Sequence, residues 1–462
     1  MSEIRYTLGG NYDANNSREI GDAANFYGLI DPPGTILVKP NFAAFEVHGN
    51  NSVVFLLNSE VTNYIGVNTG GIYIDVSAHS GPATLEGSNY GDWLRGGFGD
   101  DYIKGGRGND VLEGGLGHNE IDGGSGTNTI SYEHFELPSG TGINVYLEFN
   151  FSSDSHGSEI LSDVFSNIQN IIGSAFDDEL YGSENNNLIE GGLGADYISG
   201  GGGAGIDTAS YGRSASGVTV DLTLNINTGG DAEGDKLFDI SNIVGSKFGD
   251  VLSGNELANT FTGNGGNDAL YGMAGNDRLI ITDTPTIIDG GSGKDFLFVT
   301  GGGSVSLAEA AFTGIEAVYT RNDTKLDMSA VQTGSKIVSQ STLGHHVEII
   351  GTSGADTIKA GKGGDAIEGG AGGDKLFAGA GVDTFHFQAD FGRDNVYGFT
   401  VGTDHFDVSA LVSEFGQIDI REFHGGADTL VTFDGAAAAN KIILHDVAAS
   451  SLHADDFGFI IT

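Results

Sequence analysis

The sequence predicts an all-β fold: a parallel β-roll, or β-solenoid, of Gly- and Asp-rich nonapeptides with wider connector turns and a C-terminal β cap. Three observations predict it. A nine-residue pattern, Gly-Gly-x-Gly-x-Asp-x-(large apolar)-x, recurs in four blocks from Gly87 to Phe387. Its eighth-position Leu or Ile stays in phase, as the inward residue of a short strand must. The spans between blocks read as alternating strands and lack helical periodicity.

The elements follow in order. Residues 1–86 lack the aspartate motif, but apolar clusters such as Val54-Phe55-Leu56 and Ile72-Tyr73-Ile74 recur at nearly the same interval. Two readings stand open there, a metal-free continuation of the solenoid and a small antiparallel β-domain, with the continuation slightly preferred. Block one, 87–131, holds five nonapeptides. Asp92, Asp101 and Asp110 fill its sixth position, and Asn119 and Asn128 replace the aspartate in the last two turns. A connector, 132–172, leads to block two, 173–210, with Asp178, Asn187, Asp196 and, after a two-residue insertion, Asp207. A second connector, 211–244, repeats features of the first. Block three, 245–298, carries Asp250, Asn259, Asp268, Asp277 and Asp295. The diverged connector 299–350 leaves room for one short helix over Leu307–Val318. Block four, 351–387, carries Asp356, Asp365, Asp374 and Asp383, and 388–462 reads as the cap.

Composition narrows the function classes. The chain has 63 acidic and 20 basic residues, a formal charge of −43, with 78 Gly and no Cys. Such charge repels itself and disfavours nucleic acid and anionic membranes as partners. Disorder is the plain reading of acidity plus glycine, but apolar residues recurring in register weigh against it. Without cysteine, any metal site is built from oxygen donors. Met1–Gly10 has neither the basic run nor the apolar stretch of a secretory leader, and no window is apolar enough to span a membrane.

The repeat residues point to calcium. Glycine accepts turn angles that bring carbonyl oxygens together, here at Gly97, Gly99, Gly106 and Gly108. The sixth-position aspartate then projects into the gap between turns. Calcium takes 6–8 oxygens at roughly 2.3–2.6 Å, whereas magnesium demands a tighter octahedron. The candidate ligands are Asp92, Asp101, Asp110, Asp178, Asp196, Asp207, Asp250, Asp268, Asp277, Asp295, Asp356, Asp365, Asp374 and Asp383, with Asn119 offering an uncharged carbonyl. For any single aspartate the competing reading is an Asx-turn or a solvated charge.

With these residues the chain resembles the haemolysin-type, or RTX, family of calcium-binding repeat proteins. The resemblance implies several bound Ca²⁺ ions, export by type I secretion and an extracellular or cell-surface location. The tail, with Phe391-Gly392-Arg393-Asp394 and Asp404-His405-Phe406-Asp407, is similar to that of secreted RTX proteases and carries the implied export signal. Repulsion between unneutralised aspartates, together with the entropy of ordering glycine turns, predicts a chain that folds on binding calcium.

No catalytic motif accompanies the repeats. HExxH, GxSxG and GxxxxGK[ST] are all missing, and Gly344-His345-His346-Val347-Glu348 has the wrong spacing for two ligands on one helical face. Scattered histidines (His118, His134, His156, His386) read as surface or turn residues, and Trp93 as outward-facing. The expectation is a non-enzymatic secreted protein that self-associates into an extracellular structural or adhesive assembly. The alternative is a polysaccharide-binding module resembling the repeat modules of alginate epimerases, with a cell-surface glycan as partner.

Overall fold

In a computed structural model, residues 71–135, 140–155 and 160–459 are described in full; ahead of them only backbone strands are described. Each repeat ends in a three-residue strand whose middle residue points inward. Leu94, Ile103, Leu112 and Ile130 are wholly buried, and the strand neighbours of Leu94 and Ile103 lie at or towards the surface. Fully burying one such side chain is worth about 1.5–3 kcal/mol, so each coil adds an apolar layer.

Consecutive nonapeptides alternate between two parallel sheets, which makes a coil of two repeats. Trp93 therefore pairs with Val111, and Tyr102 with Glu120. The described part of the chain forms all-β solenoid in two compact units. The first comprises Met1–Ser214 with Asn225–Asn242, and the second Ala215–Leu224 with Ile243–Thr462.

In the first unit, one sheet runs in parallel from Tyr73–Asp75 through Trp93–Arg95 and Val111–Glu113 to Thr129–Ser131, Asn170–Ile172 and Leu188–Glu190. Its first connector is more than a wide turn. Ile143–Tyr146, Phe151–Asp154 and Ser162–Ser166 double back as antiparallel neighbours before parallel stacking resumes. Upstream, Phe45–Gly49 pairs in parallel with Asn63–Asn68, which pairs in parallel with Thr84–Glu86. The turns of 1–70, on which the choice between solenoid and separate β-domain depends, lie outside the described residues.

In the second unit, Leu307–Val318 is not a helix. It begins in the strand Ser304–Ala308, continues in one short 3-10 turn, Glu309–Ala311, and returns to strand. The apolar residues there satisfy the solenoid core instead, with Val305 and Leu307 both buried. The parallel sheet ending in Lys375–Phe377 and Arg393–Tyr397 is closed by Lys441–Leu444, which brings an antiparallel hairpin, Ile418–Phe423 with Asp428–Phe433. That hairpin covers a sheet end that would otherwise invite pairing.

Candidate metal centres

The turns bring the sixth-position side chains into columns. All the aspartates named above, from Asp92 to Asp383, are at most 3% exposed, as is Asn119. One carboxylate oxygen of each is committed to the scaffold. Oδ1 of Asp110 accepts the backbone N–H of Asp92 at 2.8 Å, 18 residues back. The same rung joins Asp196 to Asp178 (2.9 Å), Asp268 to Asp250 (3.0 Å) and Asp374 to Asp356 (2.8 Å). Asn119 makes it to Asp101 with its amide oxygen.

The second oxygen separates two kinds of turn. In the closed kind it accepts the N–H of the residue four places earlier: Gly97 to Asp101 at 2.7 Å, Ser174 to Asp178 at 2.6 Å, Thr352 to Asp356 at 2.6 Å. Asp92, Asp250, Asp365 and Asp383 are closed in the same way by Ser88, Ser246, Gly361 and Gly379. In the open kind Oδ2 is buried with no hydrogen-bond partner. This holds for Asp110, Asp196, Asp277, Asp295, Asp374 and Asp394.

Backbone conformation decides which kind forms. Each open aspartate is preceded, four and two residues earlier, by left-handed residues: Gly106 and Gly108 before Asp110, Met273 and Gly275 before Asp277, Gly370 and Gly372 before Asp374. The closing residues, such as Ser88, Gly97 and Thr352, are not left-handed, and their N–H groups reach the carboxylate. Glycine is required in open turns for a second reason. A Cβ on Gly372, ahead of Asp374, would collide with the carbonyl oxygen of Gly354 in the coil before. Carbonyl oxygens of one coil thus sit against the glycines of the next. The Asn119 and Asn128 turns share this backbone through Gly115, Gly117, Gly124 and Gly126, without the charge.

Burial raises carboxylates of both kinds, the closed Asp178 to about 7 among them. Burial pushes Asp110 and Asp374 up to about 7. Asp196, buried and flanked by the charges of Asp178 and Asp235, is pushed up to about 10. A buried carboxylate lacking a partner costs several kcal/mol unless a proton or cation neutralises it. Among the described residues no group of three or more His, Cys, Asp or Glu converges. A cation here would therefore draw most of its oxygens from backbone carbonyls. One or two carboxylates among many carbonyls is a donor set that suits Ca²⁺.

Several residues outside the repeats continue the columns. Asp163 accepts from Asn119, and Asp235 from Asp196 at 2.9 Å; Asp394 accepts from Asp374 and Asp404 from Asp383. Their separations in sequence, 44, 39, 20 and 21 residues, break the 18-residue period. Only the Gly-x-Asp spacing of Gly392–Asp394 and Gly402–Asp404 could have flagged any of them. Two columns end on a tyrosine: the buried Tyr132 and Tyr211 hydroxyls donate to Oδ2 of Asp163 (2.9 Å) and Asp235 (3.0 Å).

Comparison with known proteins agrees with this geometry. A family model described as the RTX calcium-binding nonapeptide repeat (4 copies) matches residues 86–121, 95–130, 172–207, 244–279 and 350–385. No curated protein matches the chain. Among solved structures, the AlgE6R2 subunit of the Azotobacter vinelandii mannuronan C5-epimerase is 26% identical over 28% of this chain and 91% of its own, at a TM-score of 0.23. The AlgE6R3 subunit of that epimerase is 21% identical over 47% of this chain and 81% of its own, at 0.15. The extracellular lipase LipA of Serratia marcescens is 16% identical over 82% of this chain and 40% of its own, at 0.18. At TM-scores this low the structural likenesses carry no weight on function.

Proposed function

We propose, from the premise that this chain carries RTX calcium-binding nonapeptide repeats, that it is a secreted, non-enzymatic protein that folds outside the cell on binding calcium and forms an extracellular structural or adhesive assembly. The observation that carries the calcium step is the set of buried Oδ2 atoms with no partner in the left-handed turns of Asp110, Asp196, Asp277, Asp295 and Asp374. In those turns Oδ1 fixes the coil spacing through its rung, while Oδ2 and the crowded carbonyls would hold the ion. Calcium supplies the positive charge that lets these carboxylates stay ionised in the interior. The closed aspartates act as rungs of the scaffold.

Binding energy then becomes folding energy. Sites of extracellular calcium modules have dissociation constants around 10⁻⁴–10⁻³ M, so cytosol leaves them empty and the outside medium fills them. The non-enzymatic reading rests on the lack of catalytic motifs in the sequence. The assembly reading rests on how little of the chain falls outside repeats, coils and cap.

The test is a calcium titration of chelator-treated protein followed by circular dichroism, light scattering and electron microscopy. Appearance of β-structure together with ordered filaments or sheets is the expected result. Folding without association refutes the assembly and directs attention to a glycan screen. Full folding in chelator refutes the calcium step.

A further inference from the structure

We propose that a further cation site lies beyond the nonapeptide repeats, between the turn Gly369–Asp374 and the turn Asp390–Asp394, with Asp394 as its carboxylate ligand. This rests on the calcium reading of the repeats and extends it to a segment that the repeat pattern does not reach, since the matched residues end at 385.

Asp394 has every feature of an open repeat aspartate. It is wholly buried. Its Oδ1 accepts the N–H of Asp374 at 2.9 Å, and its Oδ2 is buried with no hydrogen-bond partner. The residues four and two places earlier, Asp390 and Gly392, are left-handed, at φ 66° and 88°. Gly370 and Gly372 take the same region before Asp374, at 91° and 139°. A Cβ on Gly392 would collide with the carbonyl oxygen of Gly372, so the two turns approach as closely as stacked repeat turns do.

Sequence hides the likeness because aspartate stands at 390 where a repeat has glycine. Aspartate is among the few residues other than glycine that tolerate a left-handed conformation. Asp404, one turn on, provides the contrast. Its carboxylate is closed by the N–H of Thr400 at 2.7 Å, and Thr400 is not left-handed. It therefore belongs to the scaffold and binds no ion.

The experiment uses the full chain crystallised with calcium, and again after exchange to Tb³⁺, with anomalous difference maps. A peak within ligating distance of Asp394 Oδ2, alongside peaks at Asp110, Asp196 and Asp374, supports the site. Peaks at those repeat aspartates with none at Asp394 overturn it and leave the calcium reading standing. No peak at any of them overturns the calcium reading and this site with it. In solution, Asp394→Asn should lower the calcium stoichiometry by one ion, read by titration calorimetry, while Asp404→Asn leaves it unchanged. Equal stoichiometry in folded Asp394→Asn and wild type also overturns the site, and the crystallographic measurement stands should that variant not fold.

Discussion

Asp374 and Asp394 are locked in register by one hydrogen bond, the N–H of the first donating to Oδ1 of the second at 2.9 Å, and each keeps its other oxygen buried with no hydrogen-bond partner. The bond sets the distance between coils, and the remaining oxygen sets the demand for a cation. A repeat aspartate is thus a structural rung and a candidate ligand at once. Which role dominates follows from two backbone dihedrals upstream.

Open and closed aspartates should respond differently to substitution. Asp374→Asn removes a charged ligand and should raise the calcium midpoint by about tenfold, the equivalent of ~1.4 kcal/mol, with one ion fewer bound. Asp356→Asn, in a closed turn, should keep the stoichiometry while lowering stability by about 1–3 kcal/mol through its weakened backbone bonds. Calorimetry and thermal melts in saturating calcium separate the two. Equal loss of ions in both variants would refute the distinction.

Glycine at the second left-handed position is obligatory on geometric grounds. Gly372→Ala places a Cβ against the carbonyl of Gly354 at a φ of 139°, where an L side chain is strained. The expected cost is about 1–3 kcal/mol from backbone strain, before the collision is counted. Gly416→Ala meets nothing within 4 Å and has no positive φ, so it should be nearly neutral. Melting temperatures in calcium report the difference.

Acid should partly replace calcium. Asp110 and Asp374 titrate near 7 and Asp394 near 8 in the metal-free fold, each raised chiefly by burial. A carboxylate raised above its unfolded value near 3.8 stabilises the fold when protonated. That contribution is full below about pH 4 and is lost as pH rises through 7–8. In chelator, β-structure should therefore increase as pH falls from about 8 towards 5, above the sequence pI of about 4.2. Dichroism monitored beside light scattering tests this; a fold in chelator that weakens on acidification would contradict it.

Tyr211→Phe probes a column end. The variant removes the hydroxyl donor at 3.0 Å from Asp235 while leaving the buried ring in place. The expected destabilisation is about 1–3 kcal/mol, the cost of leaving a buried acceptor short of a donor. A melt unchanged from wild type would show that Asp235 finds another partner.

The β-roll was legible in the sequence because its physics is local and periodic. A buried Leu or Ile in every ninth place, glycines before the aspartate and no helical phase suffice to specify coils of three-residue strands. The candidate donors of a calcium cage followed from the same period. The antiparallel strands Phe151–Asp154 and Ser162–Ser166 and the strand in place of a helix near Leu307 were not legible, because each is set by its strand partners: Ser162–Ser166 pairs back to Glu120–Asp122, and Ser304–Ala308 to Thr324–Ala330. Nor could the period reveal which carboxylates are closed. Asp101 and Asp110 occupy the same position of adjacent repeats, both following glycines, yet Gly97 donates to Asp101 while Gly106 turns left-handed and leaves Asp110 open. What the sequence determined by itself was the repeat, its inward layers and its carboxylate columns. The stacking of each turn on the one a full coil earlier decided the rest: Gly97 packs on the non-repeat turn at His79, and Gly106 on the repeat turn at Ser88. That neighbour lies 18 residues away along the chain in a regular coil, and as many as 44 where a connector intervenes.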